Sequence, residues 1–321
     1  MNASNALAFG VLALALTGPV PAMLSRARWP FRAPRAALVL WQAIALAAVL
    51  SAFSSGLAIA SQLLVPGPDG RPTTDPTAEI DALGLPLWIL YIVVLGLTLL
   101  IGARLIASIV RVAVHTRRRR ARHRMLVDLL DRGDADISAA LGRLSDVRVL
   151  DAAEPIAYCL PGLRQRVVLS EGTLKSLNVA EITAILTHER AHLRARHDLV
   201  LEAFTALHQA FPRVVRSKSA LGSVQLLVEL LADDSAVKVT GPTPLARALV
   251  TCAGTTAPRG AMAVGGPSTL VRIQRLNGAG ADARIAVSAY IAAAAILVVP
   301  TIAVAVPWLV ELNRLFSSIQ P

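Results

Sequence analysis

Charge is scarce in this 321-residue sequence: 17% of its residues are Asp, Glu, Lys or Arg, against 55% hydrophobic. A soluble globular chain carries about a quarter of its residues as those four types, so the deficit excludes that class and points to a bilayer. Cysteine is scarcer still. Cys159 and Cys252 are the two present, far apart, with no CxxC pair, which excludes a disulfide framework and fits free thiols in a reducing compartment. No basic residue precedes the first apolar run, and arginines follow it, so that run reads as a retained helix rather than a cleaved leader. No aromatic residues interleave the basic run at 117–120, so direct nucleic-acid binding is not expected. No internal repeat is visible.

What is present is four stretches without charge: Asn5–Leu24, Ala36–Val65, Leu83–Ala103 and Ile285–Val310. Each reaches the ~20 residues that a spanning helix needs. The first is expected to kink at Pro19 and Pro21. Trp29, Trp41, Trp88 and Trp308 lie near segment ends, where interfacial anchors belong.

Lys plus Arg exceed Asp plus Glu by 32 to 21, and the excess is uneven. The loop after the first segment holds Arg26, Arg28, Arg32 and Arg35, and the third segment leads into "RVAVHTRRRRARHR". The loop after the second holds one arginine and four acids. Arginine-rich loops stay cytoplasmic. The expectation is a multi-pass plasma-membrane protein with both termini extracytoplasmic. Residues 1–111 would form three transmembrane helices (about 5–24, 36–65 and 83–105). Residues 112–283 would form a cytoplasmic domain, and 284–321 a fourth helix with a short tail.

Within the domain, short β-rich runs punctuated by Pro and Gly predict strands at Val147–Leu150, Ile156–Cys159 and Arg166–Leu169. A long helix is predicted from Asn178, with Glu181 completing a capping box, to a stop at Pro212. A second runs from Ala220 to Val239, and "TLVRIQRLN" allows one more.

The first helix contains "LTHERAHLRARHDL". His188 and His192 are four apart, so both imidazoles leave one face and can share a metal ion. Glu189 is rotated off that face, placed to reach a water on the metal without binding the metal itself. Zinc lowers its water's pKa to ~7 and a carboxylate takes the proton, the chemistry of metal-assisted hydrolysis. A third ligand is required. His197 lies nine residues on, half a turn away around a continuous helix, with no glycine to turn the chain, and reads as a cytosol-facing or core histidine rather than a ligand. Glu202 is too far along the axis. Glu229 stands among leucines in "LLVELLADDSAV", where a buried carboxylate needs a partner. Asp233, one turn later, is placed to fix a ligand histidine's tautomer. Asp234 reads as surface charge.

These stretches resemble the BlaR/MecR-type antirepressor family of membrane zinc metallopeptidases, peptidase family M56. "LTHERAHLRARHDLV" is similar to its zinc helix, "VELLADDSAV" to its glutamate-ligand segment and "EPIAYCLPGLRQRVVLSEGTL" to the strand-and-loop entry. The resemblance implies a mostly α membrane protein, with four transmembrane helices and a cytoplasmic α+β gluzincin-like zinc peptidase domain inserted between helices three and four. It implies one zinc ion per chain on His188, His192 and Glu229, Glu189 as general base, and an edge strand near Val167–Leu169 that takes substrate backbone. The implied substrate is a BlaI-type transcriptional repressor. The penicillin-binding sensor domain of well-known members has no counterpart here, so sensing by acylation is not expected. Two other readings stand beside it: an HtpX-like membrane quality-control protease, and a non-catalytic membrane signalling scaffold.

Overall fold

The computed structural model describes residues 3–63, 65–66, 72–73, 75–130, 146–162, 165–212, 217–253, 262–263, 269–278 and 282–317. The first apolar stretch is two helices, α1 (Ala3–Thr17) and α2 (Pro19–Arg26). The break falls at Gly18, and Pro19 opens α2 where its missing N–H costs nothing. Next comes α3 (Pro34–Ala60), again with proline in its first turn. Strands β1 (Val65–Pro66) and β2 (Pro72–Thr73) pair antiparallel, and α4 (Pro76–Leu83) follows, capped by the Asp75 side chain.

The third apolar stretch does not end where its charges begin. It continues as one 46-residue helix, α5 (Leu85–Leu130), ~69 Å long at 1.5 Å per residue. The Arg-rich run supplies good helix formers, and no Gly or Pro interrupts it. α3 and α5 cross at Gly56, where any Cβ would overlap the Thr98 side chain.

A four-stranded sheet follows, ordered β3-β5-β4-β6. It comprises β3 (Val147–Leu150), β4 (Ala157–Leu160), β5 (Arg166–Ser170) and β6 (Met262–Ala263). β3 runs parallel to β5 with Val147 opposite Val167, and β4 antiparallel with Ala157 opposite Leu169. β5 is therefore an interior strand, which corrects the expected edge at Val167–Leu169. β6 meets β4 at Cys159 and Tyr158. Side-chain alternation splits the sheet's two faces. Val168, Tyr158 and Leu160 pack on Val127 of α5, while Val167, Leu169, Ala157 and Cys159 pack toward the motif helix.

The remaining helices are α6 (Glu171–Ser176), α7 (Val179–Arg194), α8 (His197–Ala210), α9 (Ser217–Thr240), α10 (Pro242–Thr251), α11 (Thr269–Leu276) and α12 (Ala283–Ser317). The capping box at α7 forms as expected: Asn178 Oδ1 accepts from the Glu181 amide and Glu181 Oε2 accepts from the Asn178 amide, both at 3.0 Å. The long helix expected to reach Pro212 is two helices. Arg196 takes a left-handed backbone (φ 51°), the chain turns, and His197 starts α8. A non-glycine residue there is disfavoured by roughly 1–2 kcal/mol, so packing of α8 selects the turn rather than local preference.

That packing is extensive. Phe204 of α8 and Ala220, Val224, Leu227, Val228 and Leu230 of α9 share one buried cluster with Leu24, Trp41, Ile44, Ala47 and Ala293. Trp41 is thus a core residue, 1% exposed, and not an interfacial anchor. α5 is tied to α8 by Arg104 Nε and Ser108 Oγ, which donate to the carbonyls of Ala210 and Ala206. Among the described residues, four helical segments are long and apolar enough to cross a membrane: Ala6–Arg26, Pro34–Leu63, Leu85–Leu129 and Ala283–Ile302.

Candidate metal centre

α7 carries His188, Glu189 and His192 inward, and all three are at most 2% exposed. α9 crosses α7 and carries Glu229 and Asp233 to the same spot. His188 Nε2 lies 3.1 Å from His192 Nε2. Glu229 Oε2 is 3.5 Å from the first of these nitrogens and Glu229 Oε1 is 3.5 Å from the second. Three ligands on a tetrahedral ion with ~2.0–2.1 Å bonds stand ~3.3 Å apart. The two nitrogens, and the Glu229 oxygen nearest each, stand near that spacing, and one atom from each of the three residues lies within 4.8 Å of the others: three of a tetrahedral ion's four positions.

Each imidazole is held from behind. His188 Nδ1 is 3.0 Å from Asp233 Oδ1. His192 Nδ1 is 3.0 Å from His197 Nδ1. A His192 that offers Nε2 to a metal carries its proton on Nδ1 and donates it to His197. His197, read from sequence as a cytosol-facing or core histidine, is buried, and the Arg196 turn brings it back against the site. Glu202 does stay away, in an ion pair with Arg120.

Behind the carboxylates stands Arg272, 1% exposed, on α11. Its Nε and Nη2 donate to Asp233 Oδ2 and Oδ1 at 2.8 and 2.6 Å, and Nη1 is 3.0 Å from Glu229 Oε2. Arg275, one turn on, clamps Asp234 through two bonds of 2.6 and 3.1 Å. Asp234 is thus a paired group and not free surface charge. Arg272 had one signal in the sequence: two adjacent acids on an apolar helix require two cations, and Arg272 and Arg275 stand three apart on one short helix.

Electrostatics follow from this packing. Burial alone would strip the proton from His188, but Asp233 and Glu229 outweigh it and hold its pKa at about 9. Burial lowers His192 to about 3, with His188, His197 and Arg272 pushing the same way. Burial would raise Glu229, but His192, His188 and Arg272 bring it down to about 2. Asp233 is also lowered, since Arg272 and His188 outweigh its burial. Glu189 moves the other way, up to about 7, chiefly by burial.

Glu189 is the anomaly. Its carboxylate is fully buried and, among the described residues, meets only the weak Cys159 thiol, with no nitrogen or hydroxyl donor on either oxygen. A carboxylate left in that state costs several kcal/mol unless it stays neutral or a ligand completes the site. Buried orphan oxygens beside a His/His/Glu donor set, all within 4.8 Å of one another, fit a zinc ion with its water. Tyr158 takes no part: it faces α5, where its hydroxyl meets His123 Nε2 at 2.9 Å.

Comparison with known proteins bears on this helix. Residues 117–222 match the model of peptidase family M48. This is the Ste24/HtpX-like family, and the match overturns the resemblance to M56, a different family. It runs from the basic part of α5 through the whole of α7 and α8 into the start of α9, about a third of the chain, and stops before Glu229, Asp233 and Arg272. The crystal structure of Ste24p from S. mikatae is similar over 85% of this chain and 97% of that chain, with 15% identity and a TM-score of 0.36. No curated protein matches. With the M56 resemblance goes the repressor it implied as substrate.

Proposed function

We propose that this chain is a membrane-embedded zinc endopeptidase of the M48 type, holding one zinc ion on His188, His192 and Glu229. The observation that carries the reading is the gathering of those three side chains around one point, with the unpartnered Glu189 carboxylate beside them. The M48 match over the motif helix supports it and favours the HtpX-like reading over repressor cleavage. A signalling scaffold would have no use for a buried, unpaired Glu189.

Zinc bound there would polarise the scissile carbonyl and acidify a water molecule. The chain's own residues supply the rest. Glu189 accepts the water's proton and returns it to the leaving amine nitrogen. Asp233 and His197 fix the ring orientations of His188 and His192. Arg272 anchors Glu229 and Asp233 together.

The arginine-rich loops put the site on the cytoplasmic side and both termini outside. The packing of α9 on α3 supports a site near the membrane surface, which would make segments of membrane proteins its accessible substrates. The test uses the full chain in detergent with an unfolded membrane protein and with casein. It should carry one zinc per chain and cut the membrane protein, and a chelator should stop the cutting. A chain with no stoichiometric zinc and no cleavage would leave the scaffold reading standing.

Loading the site should also release protons. At pH 7 His188 holds one, Glu229 is ionised and His192 is neutral. Zinc displaces the His188 proton, so uptake should release about one, with a further part from Glu189. The release should fall as pH rises past 9, where His188 is already neutral. Calorimetric titration of zinc in buffers of different ionisation enthalpy measures it; heats independent of buffer at pH 7 would contradict the charge assignment.

A further inference from the structure

Beside the metal centre, past the last turn of α7, lies a cavity of about 710 Å³. It opens where the first turns of α3 and α12 meet the ends of α7 and α9. Arg32, Arg35 and Lys238 line it, all three are exposed, and none makes an ion pair among the described residues. Its two acids are already engaged. Asp234 is clamped by Arg275, and Asp282 Oδ1 accepts from the Arg284 and Ile285 amides at the start of α12. The start of α3 also faces this space, and its N-cap residue, Ala33, has no side-chain acceptor for the first-turn amides. Three unspent cations and an uncapped helix start give the cavity a positive mouth.

Its other wall is apolar. Leu38, Val39, Ala286 and Tyr290 line it along the bodies of α3 and α12, two of the helices read as membrane spans. A positive mouth continuous with a hydrocarbon-facing wall matches a molecule with an anionic phosphate at one end and acyl chains at the other. We infer that this cavity binds the headgroup of an anionic phospholipid, with Arg32, Arg35 and Lys238 on its phosphate. The inference does not depend on the metal centre. It does depend on α3 and α12 crossing the bilayer. The cavity's inner wall includes His197, so the lipid would sit one side chain away from His192.

The test is native mass spectrometry of the full chain in detergent, offered phosphatidylglycerol or phosphatidylcholine. Wild type should retain one phosphatidylglycerol in preference to phosphatidylcholine by roughly tenfold or more. The variant Arg32→Gln/Arg35→Gln/Lys238→Gln should lose that preference. Arg26→Gln/Arg28→Gln, which removes two exposed arginines of the same loop that do not line the cavity, should keep it. Equal losses in both variants would mean a diffuse ring of charge and would overturn the site. Displacement of the lipid by millimolar inorganic phosphate would assign the site to a free anion and overturn the lipid. Should the triple variant melt early, Arg35→Gln alone carries the test, with a loss of about fivefold expected.

Discussion

Glu189→Gln should leave the zinc in place and lower proteolysis by roughly 10²–10⁴-fold. The substitution keeps the size and shape of a side chain that is fully buried, so the fold has no reason to move. It also removes no atom of the three donors that surround the ion position. What it removes is the proton acceptor, and no neighbour replaces it: the closest group is the Cys159 thiol, whose pKa burial and Glu189 push well up. Glu229→Ala should behave differently and lose metal and activity together. It takes away one of three protein donors and frees Arg272 Nη1, a cation 3.0 Å from the lost carboxylate, to face the ion's position. Zinc analysis beside a cleavage assay separates the two cases. Retained activity in Glu189→Gln would remove it from the chemistry, and full zinc in Glu229→Ala would remove Glu229 from the ligand set.

Arg272→Met should destabilise the fold by about 3–5 kcal/mol, the cost of leaving a buried charge without its partner. Arg272 and Asp233 are each 1% exposed and joined by two hydrogen bonds, so no solvent stands in for the lost guanidinium. Glu229 loses its cation in the same step. Arg272→Met/Asp233→Leu should recover much of the stability, since no uncompensated charge then remains at the pair. It should not recover metal binding. With Asp233 gone, nothing holds His188 Nδ1, and zinc affinity should stay about 10–100-fold low. Denaturant unfolding in detergent and zinc competition with a chelator read the two quantities independently. If the single variant unfolds like wild type, Arg272 is not the counter-ion of this site.

The helices were legible because their causes are local. The capping box at Asn178 and Glu181, the prolines at the start of α2 and α3, and the four uncharged runs each act within a few residues; α10, which Pro242 opens, was not read from the sequence. The three longer strands were legible for the same reason, from β-rich runs bounded by Pro and Gly. The pairing of His188 with His192 needed only the pitch of one helix. Glu229 and Asp233 were legible because carboxylates among leucines demand partners.

The place of His197 behind His192 was not legible, because it depends on a left-handed Arg196 that no glycine announces and that breaks the expected continuous helix. The turn is selected by what α8 packs against, Phe204 among the apolar helices and Ala206 on Ser108 of α5, and those partners are distant in sequence. Trp41 was misjudged, since an apolar helix looks alike on all faces until another helix covers one. β5 was taken for an edge because strand order is a property of the sheet and of no single strand. The family was misjudged because a short zinc motif and its glutamate segment are shared by peptidases that differ elsewhere.

The sequence by itself determined the apolar spans, the helix that presents His188, Glu189 and His192, and the need of Glu229 for a partner. All of these follow from residue type and period along a few turns. Tertiary structure alone decided that Arg272 locks Asp233 to Glu229, that His197 stands behind His192, and that free cations gather around one cavity beside α3 and α12. These join positions as many as 206 residues apart, from Arg32 to Lys238. Burial and charge balance act on distances in space, and a linear pattern carries no record of which side chains folding will bring within 3 Å.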